Sequence, residues 1–228
     1  MIEWPSRIDE NILLDILKFK KTLQKKYIKE KVYINHAYNS LLITYNSTIN
    51  NIYDKISNLK TCYSSKANTT NLAFKCWKIP VCYDDDFGID LNELSIGLKL
   101  SKAEIIGLHT KPIYTVFFIG FLPGFLYLGG LDKRLHFSRK QTPILKVPKG
   151  AVAIGGKQTG IYPNESPGGW NIIGNSPINF FDIDKKIPCF AQSGDKIGFY
   201  QVSKKEYDDI KILVDAGVYQ IESEVIHD

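Results

Sequence analysis

Glycine is concentrated in one part of the chain, and this restricts the possible folds more than any other feature of the sequence. Eleven of the 17 glycines lie between residues 120 and 174, with prolines interspersed among them. These residues favour tight turns, and the apolar segments between them are short. Short strands joined by frequent turns are typical of a β-barrel or a β-sandwich. We therefore predict an all-β architecture for this part of the chain.

Small strands and helices alternate in the N-terminal part of the chain. Asp9 can cap a first helix, whose apolar residues recur every three or four positions. A second helix is predicted from Thr48, with Ile49, Ile52, Ile56 and Leu59 on one face, and the polar stretch 58–71 is predicted as a loop. The strand candidates are 2–4, 31–35, 41–45 and 74–82. The order β-α-β-β-α-β is that of a ferredoxin-like unit.

The composition changes after an acidic triplet at 84–86. Two short helices are predicted next, the first from Asp90 or Asn92 and the second from a capping box formed by Ser101 and Glu104. The glycine-rich part follows them. We therefore predict an α+β chain with two domains, 1–84 and 85–228.

The charge balance and the cysteines argue against several classes of function. The net charge is +5, and the densest basic stretch, 18–31, is interrupted by apolar residues at helical spacing, so no nucleic-acid surface is predicted. The four cysteines form no C-x-x-C pair and have no histidine at ligand spacing, which argues against a metal site and a disulfide framework. No basic segment followed by an apolar run stands at the N-terminus, and a cytoplasmic location is expected.

One segment has the length of a membrane-spanning helix. Residues 113–131 carry no charge. However, Pro123 and Gly124 interrupt the segment in the middle, and β-branched and aromatic residues dominate its first half. A buried strand followed by a turn is the better interpretation, and no membrane association is predicted.

Two glycine-rich motifs invite functional interpretations. The segment 150–160 reads GAVAIGGKQTG, but Ala151 stands where a phosphate-binding loop needs glycine, and Lys157 is followed by Gln158. A hairpin turn with a polar tip is the favoured interpretation, although its backbone could contact an anion. The segment 162–170 contains two prolines and two glycines, so it is either a rigid ligand-holding loop or a turn around a buried Trp170.

Titratable residues flank the apolar segment on both sides. His109 ends the second short helix, where it is either a proton shuttle or a satisfied, partly buried side chain. After the segment, a charged loop contains Asp132, Arg134, His136 and Arg139. This loop is either a solvated surface or an arginine clamp for a carboxylate or phosphate.

Several segments together resemble one protein family. They are GFLPGFLYLGGL at 120–131, TPILKVPKG at 142–150, QTGIYP at 158–163 and SPGGWNIIG at 166–174, with EWP at 3–5, SLL at 40–42, IPVCY at 79–83, His109 and SGD at 193–195. The chain is similar to the KipI/PxpB family, that is, the PxpB component of bacterial 5-oxoprolinase, also called allophanate hydrolase subunit 1. The resemblance extends over nearly the whole chain.

The resemblance implies a fold and an activity. The fold is a ferredoxin-like N-terminal domain followed by a cyclophilin-like β-barrel. The activity is the ATP-dependent opening of 5-oxo-L-proline to L-glutamate, in a complex with a PxpC (KipA-like) subunit and a PxpA (LamB/YcsF-like) subunit. Two other functions remain open: inhibition of a histidine kinase, as in KipI, and a carboxyltransferase fragment related to urea carboxylase.

The implied reaction leads to hypotheses about individual residues. Phosphorylation of the amide oxygen followed by addition of water needs a carboxylate clamp, oxyanion donors and a proton carrier. We assign His109 as the proton carrier, Gln158 and Thr159 as the groups that polarise the amide, and Arg139 as the clamp. Ser166 and the backbone of Gly168 and Gly169 are the predicted anion-binding groups, and Tyr127, Tyr162 and Trp170 the predicted walls of the pocket. ATP is expected to bind within the complex.

Overall fold

The computed structural model describes residues 1–28, 32–65 and 72–227. They form two compact units, Met1–Leu72 and Ala73–His227. Helices and sheets are both present, which confirms the predicted α+β class.

The first helix of the N-terminal unit follows the predicted pattern. Helix α1 spans Glu10–Lys26, and the Asp9 carboxylate caps it by accepting hydrogen bonds from the backbone N–H groups of Asn11 and Ile12. Its predicted apolar face is buried, as the spacing of three and four residues requires. The buried residues are Ile12, Leu13, Ile16, Phe19 and Leu23.

The sheet of this unit has three strands. They are β1 (Ile2–Glu3), β2 (Val32–His36) and β3 (Ser40–Tyr45), in the antiparallel order β1-β3-β2. Helix α2 spans Ile52–Ser64 and is capped by Asn51 rather than by Thr48. The predicted loop 58–71 therefore begins inside this helix, whereas Lys31 and residues 66–71 lie outside the described residues.

The strand expected to complete this sheet pairs in the other unit. Strand β4 (Ala73–Cys82) runs parallel to β12 (Lys196–Val202) and antiparallel to β13 (Ser223–His227). Its last four residues, 79–82, are all buried, which is typical of a strand covered on both faces and not of the edge of a small sheet. The predicted order of elements is present, but the boundary between the units lies before this strand and not after it.

Two short helices lead into the second unit, as predicted. Helix α3 spans Leu91–Leu98 and α4 spans Lys102–Thr110. The capping box of α4 is confirmed, because Ser101 accepts from the Glu104 backbone while the Glu104 side chain accepts from the Ser101 backbone.

A closed barrel of seven strands forms the centre of the second unit. In spatial order the first five strands are β11 (Asn171–Asn175), β8 (Ala151–Gly155), β9 (Gln158–Ile161), β6 (Leu126–Gly129) and β5 (Ile113–Ile119). Strands β12 and β4 follow, and the pairing of Asn175 with Cys82 joins β11 to β4 and closes the barrel. Strands β7 (Ile144–Val147) and β10 (Ser166–Gly168) pair separately, and helix α5 spans Lys204–Asp215.

The charge-free segment 113–131 forms two strands of the barrel with a turn between them. In the turn, the Phe125 N–H donates to the carbonyl of Leu122 at 3.0 Å, and Gly124 has a φ of +86°. This is the arrangement of a type II turn with proline before glycine. None of the helices that the structure describes is long and apolar enough to cross a membrane.

A buried carboxylate fixes the start of β4 to the loop before β12. Asp195 accepts hydrogen bonds from the Lys75 N–H at 2.9 Å, the Trp77 indole N–H at 2.9 Å and the Gln192 N–H at 3.0 Å. With several N–H donors the charge is compensated inside the protein. The SGD segment therefore has a structural role in the barrel.

Candidate functional site

Two glycines make room for the indole of Trp170 on the hairpin between β8 and β9. A Cβ atom on Gly155 would lie 2.5 Å from Cδ2 of Trp170, and one on Gly160 would lie 3.1 Å from its Cζ3. Both distances are shorter than an ordinary van der Waals contact. The glycines of the GAVAIGGKQTG motif therefore serve close packing of an aromatic ring.

The tip of this hairpin is the predicted polar turn. Gly156 has a φ of +67°, and Gly155 pairs with Gln158 across the turn. The Gly156 N–H donates to the carbonyl of Phe137 at 2.7 Å. Because this N–H is occupied, it does not contribute to an anion-binding turn.

The guanidinium of Arg139 lies over the Trp170 ring, with its Cζ 5.4 Å from the ring centroid. Three interactions hold the loop that carries it. Lys140 N–H donates to the carbonyl of Gly169 at 2.7 Å, and the Asn171 side chain donates to the carbonyl of Ser138 at 2.9 Å. The Lys140 ammonium also pairs with Asp90 at 2.8 Å. Arg139 itself is exposed, so a fixed loop presents its charge to solvent.

Further aromatic rings surround Trp170. Tyr127 lies 6.2 Å from it, measured between ring centroids, and Phe125 lies 5.6 Å from it in an edge-to-face arrangement. Phe125 in turn contacts Tyr162 at 5.2 Å. Burial raises the pKa of both tyrosines, and the nearby charge of Arg139 opposes this rise. Both phenols therefore stay protonated at neutral pH.

The predicted anion-binding backbone is used for packing instead. A Cβ on Gly168 would overlap the hydroxyl oxygen of Tyr162, so this glycine serves close packing against the phenol. Neither Gly168 nor Gly169 has the left-handed backbone that an anion nest requires. Ser166 is buried, and its hydroxyl donates to the carbonyl of Pro167 at 3.2 Å.

His109 and Thr159 meet in the interior of the barrel. The His109 ring is fully buried, stacks on Phe199 and has both nitrogens engaged. Nε2 lies 2.9 Å from the Thr159 hydroxyl, and Nδ1 lies 2.8 Å from the hydroxyl of Tyr83. Burial lowers the pKa of His109 from 6.5 to about 3 and raises that of Tyr83.

The predicted site residues therefore separate onto the two faces of β9. Successive side chains of a strand point to opposite faces. Thr159 faces His109 in the interior, whereas Gln158 and Gly160 share the face occupied by Trp170. Gln158 is partly exposed there. A proton carrier must reach both substrate and solvent, and the burial of His109 does not fit that role.

Sequence reasoning missed Phe121, which stands at the end of the same aromatic surface. This residue is 62% exposed, has a φ of +68° and contacts Phe125 edge-to-face at 5.6 Å. Phe121 is the central residue of a γ-turn, in which the Leu122 N–H donates to the carbonyl of Gly120 at 2.9 Å. A non-glycine residue in this region is strained, and such strain is common at functional sites. The GFLPGF motif at 120–125 was the sequence signal from which this turn could have been predicted.

Among the described residues, no group of three or more histidine, cysteine, aspartate or glutamate side chains is arranged to hold a metal ion. The polar and aromatic groups on this face are the exposed charge of Arg139, the amide of Gln158 and the ring of Tyr127, and they lie beside the buried ring of Trp170. Such a set can hold a small planar molecule that carries an anion.

The family model described as carboxyltransferase domain, subdomain C and D, matches residues 1–191. The chain belongs to this family. The B-type subunit of 5-oxoprolinase from Bacillus subtilis is 42% identical over 134 residues, which are 59% of this chain and 56% of that protein. The B-type subunit of 5-oxoprolinase from Haemophilus influenzae is 47% identical over 122 residues, which are 54% of this chain and 57% of that protein. The resemblance stated from the sequence is thereby confirmed.

A solved structure extends the likeness to most of the chain. The protein PH0987 from Pyrococcus horikoshii is 37% identical with a TM-score of 0.57, and the match covers 90% of this chain and 94% of that one. By contrast, the matches to the curated relatives cover little more than half of their length.

Proposed function

We propose that this chain is the PxpB component of an ATP-dependent 5-oxoprolinase complex, which opens 5-oxo-L-proline to L-glutamate. The observation that carries the proposal is its identity of 42% and 47% with two 5-oxoprolinase subunits of the B type. PxpC (KipA-like) and PxpA (LamB/YcsF-like) subunits complete the complex, ATP binds within it, and the cytoplasm is its location. The N-terminal unit with its three-stranded sheet is the proposed ferredoxin-like part, and the second unit, which includes β4, is the proposed cyclophilin-like barrel.

The surface around Trp170 suits this substrate. 5-Oxoproline has a flat lactam ring and a carboxylate. The guanidinium of Arg139 binds the carboxylate, because an arginine fork matches two carboxylate oxygens. The partly exposed ring of Tyr127 contacts a face of the lactam, while the buried ring of Trp170 supports the guanidinium of Arg139.

His109 supports this site from the interior. Through Thr159 it holds β9, whose neighbouring residues Gln158 and Gly160 form the outer surface. We therefore assign His109 and Thr159 as positioning residues. ATP supplies the phosphoryl group that activates the amide oxygen, and the proton carrier of the ring opening belongs to another group in the complex.

The name of the family favours a second candidate, carboxyl transfer to an amide nitrogen. The same surface would then bind the amide acceptor. A third possibility, inhibition of a histidine kinase, would use the exposed aromatic residues for docking and would need no substrate.

One experiment distinguishes these functions. The three components of the complex are co-expressed, and 5-oxoproline-dependent ATP hydrolysis is measured with and without this chain. Turnover only in its presence supports the proposed function. If omission of the chain leaves turnover unchanged, the proposal fails, and binding to a histidine kinase is tested next.

A further inference from the structure

The N-terminal unit contains a cavity of about 840 Å³, and none of the residues around Trp170 lines it. Residues between Met1 and Ser64 line it. Ile2 and Trp4 from the first strand segment, Ile43 from β3 and Ile56 from α2 are among its apolar walls. Its volume falls within the range of roughly 300–1,000 Å³ that is typical of small-molecule sites.

Helix α2 turns its predicted core face toward this cavity. Ile52, Ile56 and Leu59 of this helix line the cavity, together with Ile49, which was predicted on the same face but precedes the helix. Ile52 is 51% exposed and Ile56 is 43% exposed. An apolar helix face of this kind is stabilised when an apolar partner removes it from water.

A single carboxylate connects the walls of the cavity. Asp15 on α1 accepts the indole N–H of Trp4 at 2.7 Å and the hydroxyl of Tyr63 at 2.5 Å. Trp4 adjoins β1 and Tyr63 is near the end of α2, so the opening between them is held by hydrogen bonds. The cavity is therefore preformed at this end.

Lys55, which lines the cavity, lies over two aromatic rings. The ammonium of Lys55 lies 4.3 Å from the ring centroid of Tyr45 and 5.0 Å from that of Tyr27. Lys55 is half-buried, and no carboxylate of the described residues pairs with it. The other charged lining residues are the exposed Lys60 and Glu3. A half-buried cation that pairs with none of the described carboxylates attracts an anionic group.

We propose that this cavity binds an amphipathic carboxylate, whose apolar chain fills the space between the sheet and α2 and whose carboxylate pairs with Lys55. The volume and the apolar walls select a chain of medium length, and the lysine selects the charge. The inference is independent of the proposed function, because it uses other residues and a different unit.

Decanoate, titrated into the full chain below its micelle concentration, tests this inference. We expect saturable binding by calorimetry and a change in the fluorescence of Trp4, which lines the cavity. Decanol, which has the same chain length without the charge, should bind about tenfold more weakly, as expected for the loss of one charged contact of about 1.4 kcal/mol. The Trp4→Phe variant assigns the optical signal to the cavity.

Three variants make the test specific. Ile56→Trp fills the cavity and should abolish binding, whereas Tyr53→Trp, on the same helix but 81% exposed, should leave it unchanged. Lys55→Met should reduce decanoate binding to the level of decanol and leave decanol itself unaffected. Absence of saturable binding, or equal binding by Ile56→Trp and the unmodified chain, overturns the proposal. Dimerisation that Ile56→Trp abolishes would identify a second copy as the occupant and would also overturn it.

Discussion

The Nε2 atom of His109 donates its hydrogen to the hydroxyl of Thr159 across 2.9 Å. The direction follows from the single proton of that hydroxyl, which Thr159 donates to the carbonyl of Ala153 at 3.1 Å. Nδ1 then accepts the hydroxyl proton of Tyr83. The series of hydrogen bonds from Tyr83 through His109 and Thr159 to Ala153 thus requires one neutral tautomer of His109, and it satisfies every polar group in the series.

This arrangement predicts that His109 does not titrate near neutral pH. Its ring should remain the Nε2–H tautomer from about pH 4 to about pH 9, because burial lowers its pKa to about 3. Nitrogen NMR of ¹⁵N-histidine-labelled protein distinguishes the tautomers directly. His136, which is partly exposed, serves as the comparison within the same spectrum. Titration of the His109 signal near 6.5 would contradict the assignment as a positioning residue.

The same burial makes the stability of the fold sensitive to acid. The folded pKa of His109 is about 3 and the ordinary value is 6.5, so the unfolded chain binds the extra proton between these values. The free energy of unfolding should therefore decrease as the pH falls below 6.5, with a slope from this group of at most about 1.4 kcal/mol per pH unit. Urea unfolding across this range measures it.

The control for that profile is a histidine substitution. His109→Gln should remove this part of the acid slope, whereas His136→Gln should retain it. If both variants keep the slope of the unmodified protein, other groups cause the acid sensitivity.

Packing around Tyr162 predicts that alanine substitutions at two adjacent glycines change the stability by different amounts. Gly168→Ala brings a methyl group into the Tyr162 hydroxyl, so we expect destabilisation of about 1–3 kcal/mol. The Cβ atom added by Gly169→Ala would lie 3.5 Å from the nearest atom, the carbonyl oxygen of Lys140. This substitution should therefore change the stability much less. Thermal unfolding of both variants measures the difference. Equal melting temperatures would show that the Tyr162 loop yields to the added methyl group.

The sequence predicted local elements well where one physical effect dominates. The capping box of Ser101 and Glu104 and the apolar face of α1 follow from contacts three or four residues apart, and both are confirmed. The hairpin at Gly156 was predictable for the same reason. By contrast, strand β4 has the expected position, but its partners are more than a hundred residues away in β12 and β13. No local pattern specifies such a pairing.

The candidate site was predicted in its composition but not in its arrangement. Arg139, Trp170 and Tyr127 do come together, and His109 does meet Thr159. The spacing of β9 implied that Gln158 and Thr159 point to opposite faces, yet the sequence did not show which face is the interior. Only the closed barrel decides that His109 is on the inside.

The most direct test of the proposed function is the dependence of the reconstituted complex on Arg139. We expect Arg139→Ala to lower kcat/KM for 5-oxoproline about 10- to 100-fold, mainly through KM, because one charge-assisted contact with the substrate carboxylate of about 1.5–3 kcal/mol is lost. Arg134→Ala is the matched control, since this exposed arginine pairs with Asp132 at 2.7 Å. Loss confined to Arg139→Ala supports the site described above. Equal kinetics for the two variants and the unmodified complex would contradict it.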